Sequence, residues 1–187
     1  PRGAVFWVRT YWQSTAGILY LKTGWNSAAG DQAEFGVSGI ADKTQGGTYT
    51  PTQAGRYFGP AAIISNTSCA SVFLLGDSRI NGQNDTADAT GDVGQLARSI
   101  GRDFGYINVG IPGDHASAVA SGYAKRLDLS KYCSHFVSNL GTNDLFQGNS
   151  AAIIQGNIRT IATAFARAGR SVYWATITPS TTSTDSW

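Results

Sequence analysis

SVFLLGDSRING, residues 71 to 82, passes from greasy to polar in a single step: Val72, Phe73, Leu74 and Leu75 give way at once to Gly76, Asp77, Ser78 and Arg79. A short, unbroken apolar run is what a strand buried on both faces needs, and such strands belong to parallel sheets with helices packed on either side. In those sheets, ligands and reacting groups gather beyond the carboxyl ends of the strands. The polar turn at 76 to 79 stands at such an end.

The residues that follow repeat the pattern. GDVGQLARSIGRDFG (91–105) sets Val93, Leu96, Ile100 and Phe104 three and four apart, one face of a helix. YINVG (106–110) reads as a second strand, and HASAVASGYAKRL (115–127) as a helix weakened by Gly122. HFVSNLG (135–141) reads as a third strand. SAAIIQGNIRTIATAFARAG (150–169) places Ile154, Ile158, Ile161, Phe165 and Ala168 on one face, with Ser150 as N-cap and Gly169 as the stop. SVYWATIT (171–178) reads as a fourth strand. Strand and helix in alternation predict an α/β domain over residues 69–187: a flavodoxin-like parallel sheet with flanking helices.

Upstream the composition changes. AVFWVRTYW (4–12), GILYLKTGW (17–25) and AEFGVSGI (33–40) are aromatic and β-branched runs separated by polar loops, and AAIIS (61–65) forms a last such run. They predict antiparallel strands. Residues 1–68 are expected to form a β-rich module, part of a sandwich or jelly-roll. Trp7, Trp12 and Trp25 are expected in its core, with stacking on sugar rings as the alternative.

Fourteen Lys and Arg against twelve Asp and Glu leave a net charge of +2, with no basic run to grip a phosphate backbone, so nucleic acid is not an expected partner. Apolar runs such as AAII and SVFLL are far shorter than the ~20 residues of a membrane span, and no membrane role is expected. The chain opens on Pro1 with no charged n-region behind it, as a trimmed start would. A charged fraction of 14% with abundant Gly, Ser, Thr, Asn and Trp is the composition of many secreted carbohydrate-handling proteins. Cys69, Cys133, His115 and His135 lack the clustered spacing of a zinc site; neither metal nor cofactor is expected.

Three polar turns mark the strand ends: Gly76-Asp77-Ser78, then Asn108-Val109-Gly110-Ile111-Pro112-Gly113, then Gly141-Thr142-Asn143-Asp144. GDS, N-x-G-x-x-G and G-x-N-D, in this order and on these elements, resemble the SGNH hydrolases, also called the GDSL esterase family, over residues 71 to about 178. The resemblance implies Ser78 as nucleophile. It implies an oxyanion hole made of the Ser78 backbone N–H, Gly110 and Asn143. The chemistry suits those residue types: a carbonyl attacked by a hydroxyl develops negative charge on oxygen, and fixed N–H donors stabilise it. Asp77 is expected to order the nucleophile turn and Asn108 to hold the second loop. Asp144 is expected to cap the segment after the third strand.

A serine nucleophile needs a base, and the family takes it from an Asp-x-x-His loop after a fifth strand. This sequence has no such motif. His135, at the start of the third strand, is expected to be structural. His115 follows Gly113-Asp114 on the site side and is expected to line the pocket or touch substrate. The base is therefore expected from a missing C-terminal segment or separate fragment that also supplies the last strand. Cys69 lies nine residues before Ser78 and Cys133 ten before Asn143, at the amino ends of strands that a 2-1-3-4-5 winding makes neighbours. Neighbouring strands lie about 5 Å apart, within disulfide reach. A Cys69–Cys133 bridge, and with it a secreted or periplasmic setting, is expected.

Together these features predict a serine esterase that removes a short acyl group, acetyl first, from a carbohydrate. Two alternatives stand beside it: a non-catalytic carbohydrate-binding or structural module on the same fold, and a lipid or thioester hydrolase.

Overall fold

The structure of the protein, a computed structural model, describes residues 6–15, 22–23, 32–35, 39–50, 52, 56–57, 60, 62–86 and 91–177. The chain divides into two compact units, Pro1–Ile63 and Ile64–Trp187.

In the first unit the described residues hold one ladder, β1 (Lys22–Thr23) antiparallel to β2 (Arg56–Tyr57). The expected β-sandwich is not found among them. Residues 6–15 and 62–67 run without strand pairing, and Trp7 and Trp12 are 64% and 52% exposed rather than in a core. Alternation in sequence supplies a face, but a strand forms only where a partner backbone takes its N–H and C=O groups. Trp25, most of 17–25 and residues 36–38 lie outside the described residues. Among its described residues Lys43 pairs with Glu34 at 2.5 Å, and Arg9 donates to the carbonyls of Lys43 and Gly47.

The second unit is a four-stranded parallel sheet. Its strands are β3 (Ser71–Leu75), β4 (Gly105–Asn108), β5 (His135–Ser138) and β6 (Ser171–Trp174), in the order β4-β3-β5-β6. The chain steps from β3 outward to β4, then crosses back over β3 to β5 and on to β6. The winding therefore reverses beside β3, and the carboxyl ends of β3 and β5 flank the crevice this creates.

Why SVFLL is apolar without interruption is now visible. As an inner strand β3 has a neighbour on each side and helices on both faces. Phe73 and Leu75 enter one core with Phe136, Leu140, Ile161 and Phe165, while Val72 and Leu74 enter the other with Ile80 and Ala97. The first core lies under α3 (Ala116–Gly122), α4 (Ala124–Ser130) and α6 (Ala151–Arg167). The second lies under α1 (Ser78–Asn81) and α2 (Gln95–Ile100). Phe136 and Phe165 stack with centroids 4.1 Å apart, and each fully buried ring contributes about 1.5–3 kcal/mol.

The helix from the 150–169 pattern forms with the expected ends: Ser150 caps it through Ile153 N–H, and Gly169 takes a positive φ just past it. Two helices are shorter than their patterns. α2 ends at Ile100, so Phe104 is left 42% exposed instead of joining Val93 and Leu96 on one face. The 115–127 pattern is broken in two at Tyr123, directly after Gly122. No helix among the described residues is long and apolar enough to cross a membrane.

The expected disulfide is overturned. Cys69 is exposed, Cys133 is buried, and both are free thiols. The register explains why: Val72 lies opposite His135 and Ser138 opposite Leu75, so carrying it back puts Cys133 level with Ala70, one residue past Cys69. Successive residues of an extended chain face opposite sides, and a one-residue slip sends the two sulfurs apart. Burial pushes the Cys133 thiol pKa up, only partly offset by hydrogen bonding from Ser71.

Candidate active site

The turn after β3 is built around Asp77. Its carboxylate, 2% exposed, accepts the Arg79 N–H at 2.9 Å and so caps α1, and it accepts Asn139 Nδ2 at 3.0 Å from the end of β5. Asn139 Oδ1 in turn faces the Asp77 N–H. Gly76 is required here because a Cβ would fall 2.1 Å from Asn139 Oδ1 and 2.3 Å from Ile80 Cγ1. Ser78, the first residue of α1, is thereby held half-buried at the carboxyl end of the central strand. Among the described residues nothing hydrogen-bonds its hydroxyl or its N–H.

The second loop is tied to that turn by three bonds. Asn108 Nδ2 donates to the Ile80 carbonyl at 2.6 Å, Asn81 Nδ2 to the Gly110 carbonyl at 3.1 Å, and the Ile111 N–H to the Gly76 carbonyl at 2.9 Å. Asn108 thus holds the loop, as expected. Gly110 departs from expectation. Its N–H is taken by Asn108 Oδ1 at 2.9 Å, so it offers no free donor to an oxyanion. Glycine is needed there for closeness instead: a Cβ would meet the Asn81 backbone nitrogen at 2.7 Å. Along this loop the Val109, Ile111 and Asp114 N–H groups are bonded to backbone carbonyls. Pro112 has none. The N–H left over is that of Gly113, with φ +81 behind Pro112 in the turn closed by Asp114 N–H to the Ile111 carbonyl.

The third turn opens α5 (Thr142–Phe146). Asn143 Nδ2 spends one hydrogen on the Asp114 carbonyl at 2.8 Å and keeps a second. Asp114 is itself fixed by Arg126 at 2.5 Å. Asp144 does not cap its own segment. Fully buried, it accepts the Ala116 and Ser117 N–H groups at 2.7 and 3.2 Å and so caps α3, locking the third turn to the second loop. Beside it Thr142 Oγ1 is buried with no hydrogen-bond partner among the described residues.

The structure therefore brings the three turns together through side chains at their roots. Neither histidine joins them as a base. His115 is the N-cap of α3: its Nδ1 accepts the Ala118 N–H at 3.2 Å and lies 2.7 Å from Ser117 Oγ. That lone pair is spent, and the neutral ring must then carry its proton on Nε2. His135 sits at the start of β5, stacked on Tyr173, at the opposite edge of the sheet. Sequence reasoning missed Asn139, Asn81 and Arg126. The first two are polar residues within three positions of a strand-end turn, which is the signal that was there to find; Arg126 is distant in sequence and carried none. Among the described residues no cluster of His, Cys, Asp and Glu could hold a metal ion.

No family model matches the chain, and no curated protein does. Solved structures are similar to part of it. The psychrotrophic esterase EstA from Pseudoalteromonas sp., in a form inhibited by monoethylphosphonate, aligns at 17% identity with a TM-score of 0.46, over 56% of this chain and 57% of its own. TesA aligns at 23% identity with a TM-score of 0.46, over 56% and 58%. AlinE4, an esterase of the SGNH-hydrolase family, aligns at 24% identity with a TM-score of 0.47, over 59% and 60%. The chain thus spans less than two thirds of the structures it resembles.

Proposed function

We propose that this chain carries the nucleophile and oxyanion donors of an SGNH-type serine hydrolase acting on carboxylic esters. One observation carries the reading: at the winding reversal stands a serine whose hydroxyl and N–H have no partner among the described residues, in a turn fixed by a buried aspartate, with an asparagine amide donor at the start of α5. Ser78 Oγ attacks the ester carbonyl. The oxygen that gains charge is received by the Ser78 N–H, the second hydrogen of Asn143 Nδ2, and the Gly113 N–H in place of Gly110's. The alkoxide leaves, and water hydrolyses the acyl-serine.

The proton of Ser78 must go to a base that neither His115 nor His135 provides. We assign it to an Asp-x-x-His segment supplied from outside these 187 residues. The substrate we favour is a carbohydrate bearing a short acyl group, with acetyl first. Composition supports this, as do the exposed rings of Trp7 and Trp12. A specific observation favours the lipid or thioester reading instead: Ile111, on the loop of Gly110, and Leu145 and Phe146, on the helix α5 that carries Asn143, are 49%, 50% and 72% exposed and offer an apolar rim to a longer acyl chain.

The test is hydrolysis of acetyl and longer-chain nitrophenyl esters and of acetylated xylan by the full-length protein. Ser78→Ala is expected to abolish all of it, and Asn143→Ala to lower turnover ~100- to 1000-fold. Turnover unchanged by Ser78→Ala would refute the nucleophile, and a full-length protein with no esterase activity would favour the non-catalytic module. A preference for long acyl chains would move the substrate from sugar ester to lipid.

A further inference from the structure

A groove of about 490 Å³ runs along the outer side of the helical layer, between α6 and the junction of α3 with α4. Tyr123 and Leu127 form one wall; Arg159, Thr160, Thr163 and Arg167 form the other. The two arginines are two turns apart on the same flank of α6, about 12 Å along its axis. They are also unlike the other arginines of this protein. Every other arginine whose side chain is described has an interaction partner, as Arg98 has Asp85, Arg126 has Asp114 and Arg170 has the Ser130 carbonyl. Arg159 and Arg167 have none among the described residues. α6 itself supplies no acid to neutralise them, since no Asp or Glu occurs between Asp144 and Asp185.

We propose that this groove binds an anionic polysaccharide. Guanidinium groups pair with carboxylate or sulfate through two parallel N–H bonds. Between them Thr163 presents a hydroxyl to sugar hydroxyls, while the Thr160 hydroxyl donates to the Gly156 carbonyl at 3.0 Å and keeps only its acceptor side, and the Tyr123 ring offers a flat apolar wall with a polar tip for a pyranose face. Nucleic acid is the weaker fit, because duplex binding draws its affinity from many phosphate contacts and the groove has two guanidinium groups. α3 and α6 both start at the carboxyl edge of the sheet and run back, so the groove lies toward the amino edge, away from Ser78. A polymer held there is anchored without occupying the ester site, and the proposal stands whether or not Ser78 is a nucleophile.

The experiment separates the two claims by using full-length protein carrying Ser78→Ala. Binding of polygalacturonate, dextran sulfate, neutral dextran and duplex DNA is measured by calorimetry at low salt. The expected result is binding to at least one anionic polymer and none to neutral dextran, weakened roughly tenfold or more by Arg159→Gln with Arg167→Gln. Thr163→Glu, which sets an acid between the guanidinium groups, should weaken it likewise. These side chains are exposed, and unchanged thermal unfolding would verify that the variants fold. Whichever polymer binds identifies carboxylate or sulfate as the group recognised. Affinity unchanged in the variants, no binding to either anionic polymer, or DNA bound as tightly as the polysaccharide would overturn the proposal.

Discussion

Asn139 is the residue on which the nucleophile turn leans. It touches neither Ser78 nor, in the mechanism proposed, the substrate; it donates to the buried Asp77 carboxylate, which caps α1. Asn139→Ala leaves that carboxylate short of a donor in a place water does not reach, which should cost about 1–3 kcal/mol in urea unfolding. Being a positioning residue, it should also lower turnover in the full-length enzyme, with less effect on KM. Asn139→Ala that lost stability and kept full turnover would reduce it to a structural role. The same scale separates Gly110 from Gly113. Both are glycines of one loop, yet one is needed for close packing and has its N–H consumed, while the N–H of the other has no partner among the described residues.

Among the elements, α6 depends on its N-cap residue more than its length suggests. Ser150 Oγ accepts the Ile153 N–H, the one side-chain cap at the start of this 17-residue helix. Ser150→Ala should destabilise the protein by about 1 kcal/mol, read from the urea midpoint at unchanged slope. The link from α1 to α2 rests on a charge instead. Asp85 accepts the Gly94 N–H and pairs with Arg98, and these partners, the backbone bond foremost, hold its pKa below the usual carboxylate value. A depressed carboxylate pKa adds stability above the ordinary value of about 3.9, and that stability is lost as pH falls through the lower folded-state value. Thermal unfolding of wild type and Asp85→Asn should therefore differ at neutral pH and converge on acidification. Curves that stay parallel would remove Asp85 from the account.

For the molecule as a whole, the free cysteines give a direct reading of the strand register. Cys69 is exposed and Cys133 buried with a raised pKa, so alkylation of the native protein should label Cys69 and leave Cys133 until denaturant is added. Mass spectrometry without reduction should find both thiols. A bridge between them would mean that β3 and β5 pair one residue out of the register seen here. The two faces of that sheet also define two cores, and it is the larger, under α3, α4 and α6, that carries both the aromatic cluster and, on its outer side, the groove with the two arginines.

The amino-acid sequence by itself determined the parallel α/β architecture, because SVFLL and the apolar periods at 91–100 and 150–168 are local signals that burial on two faces or on one face demands. It also determined which turns carry Ser78, Asn108 and Asn143, since small polar residues at strand ends have few other uses. Which groups those turns leave free was decided only by tertiary structure. Asp144 capping α3, Asn108 consuming the Gly110 N–H and His115 spending its lone pair on a helix start are contacts between segments or across turns, and no period in the sequence encodes them. The first 63 residues mark the same limit: aromatic alternation gave no strand over residues 6–15, because a strand is stabilised by its partner's backbone and not by its own pattern.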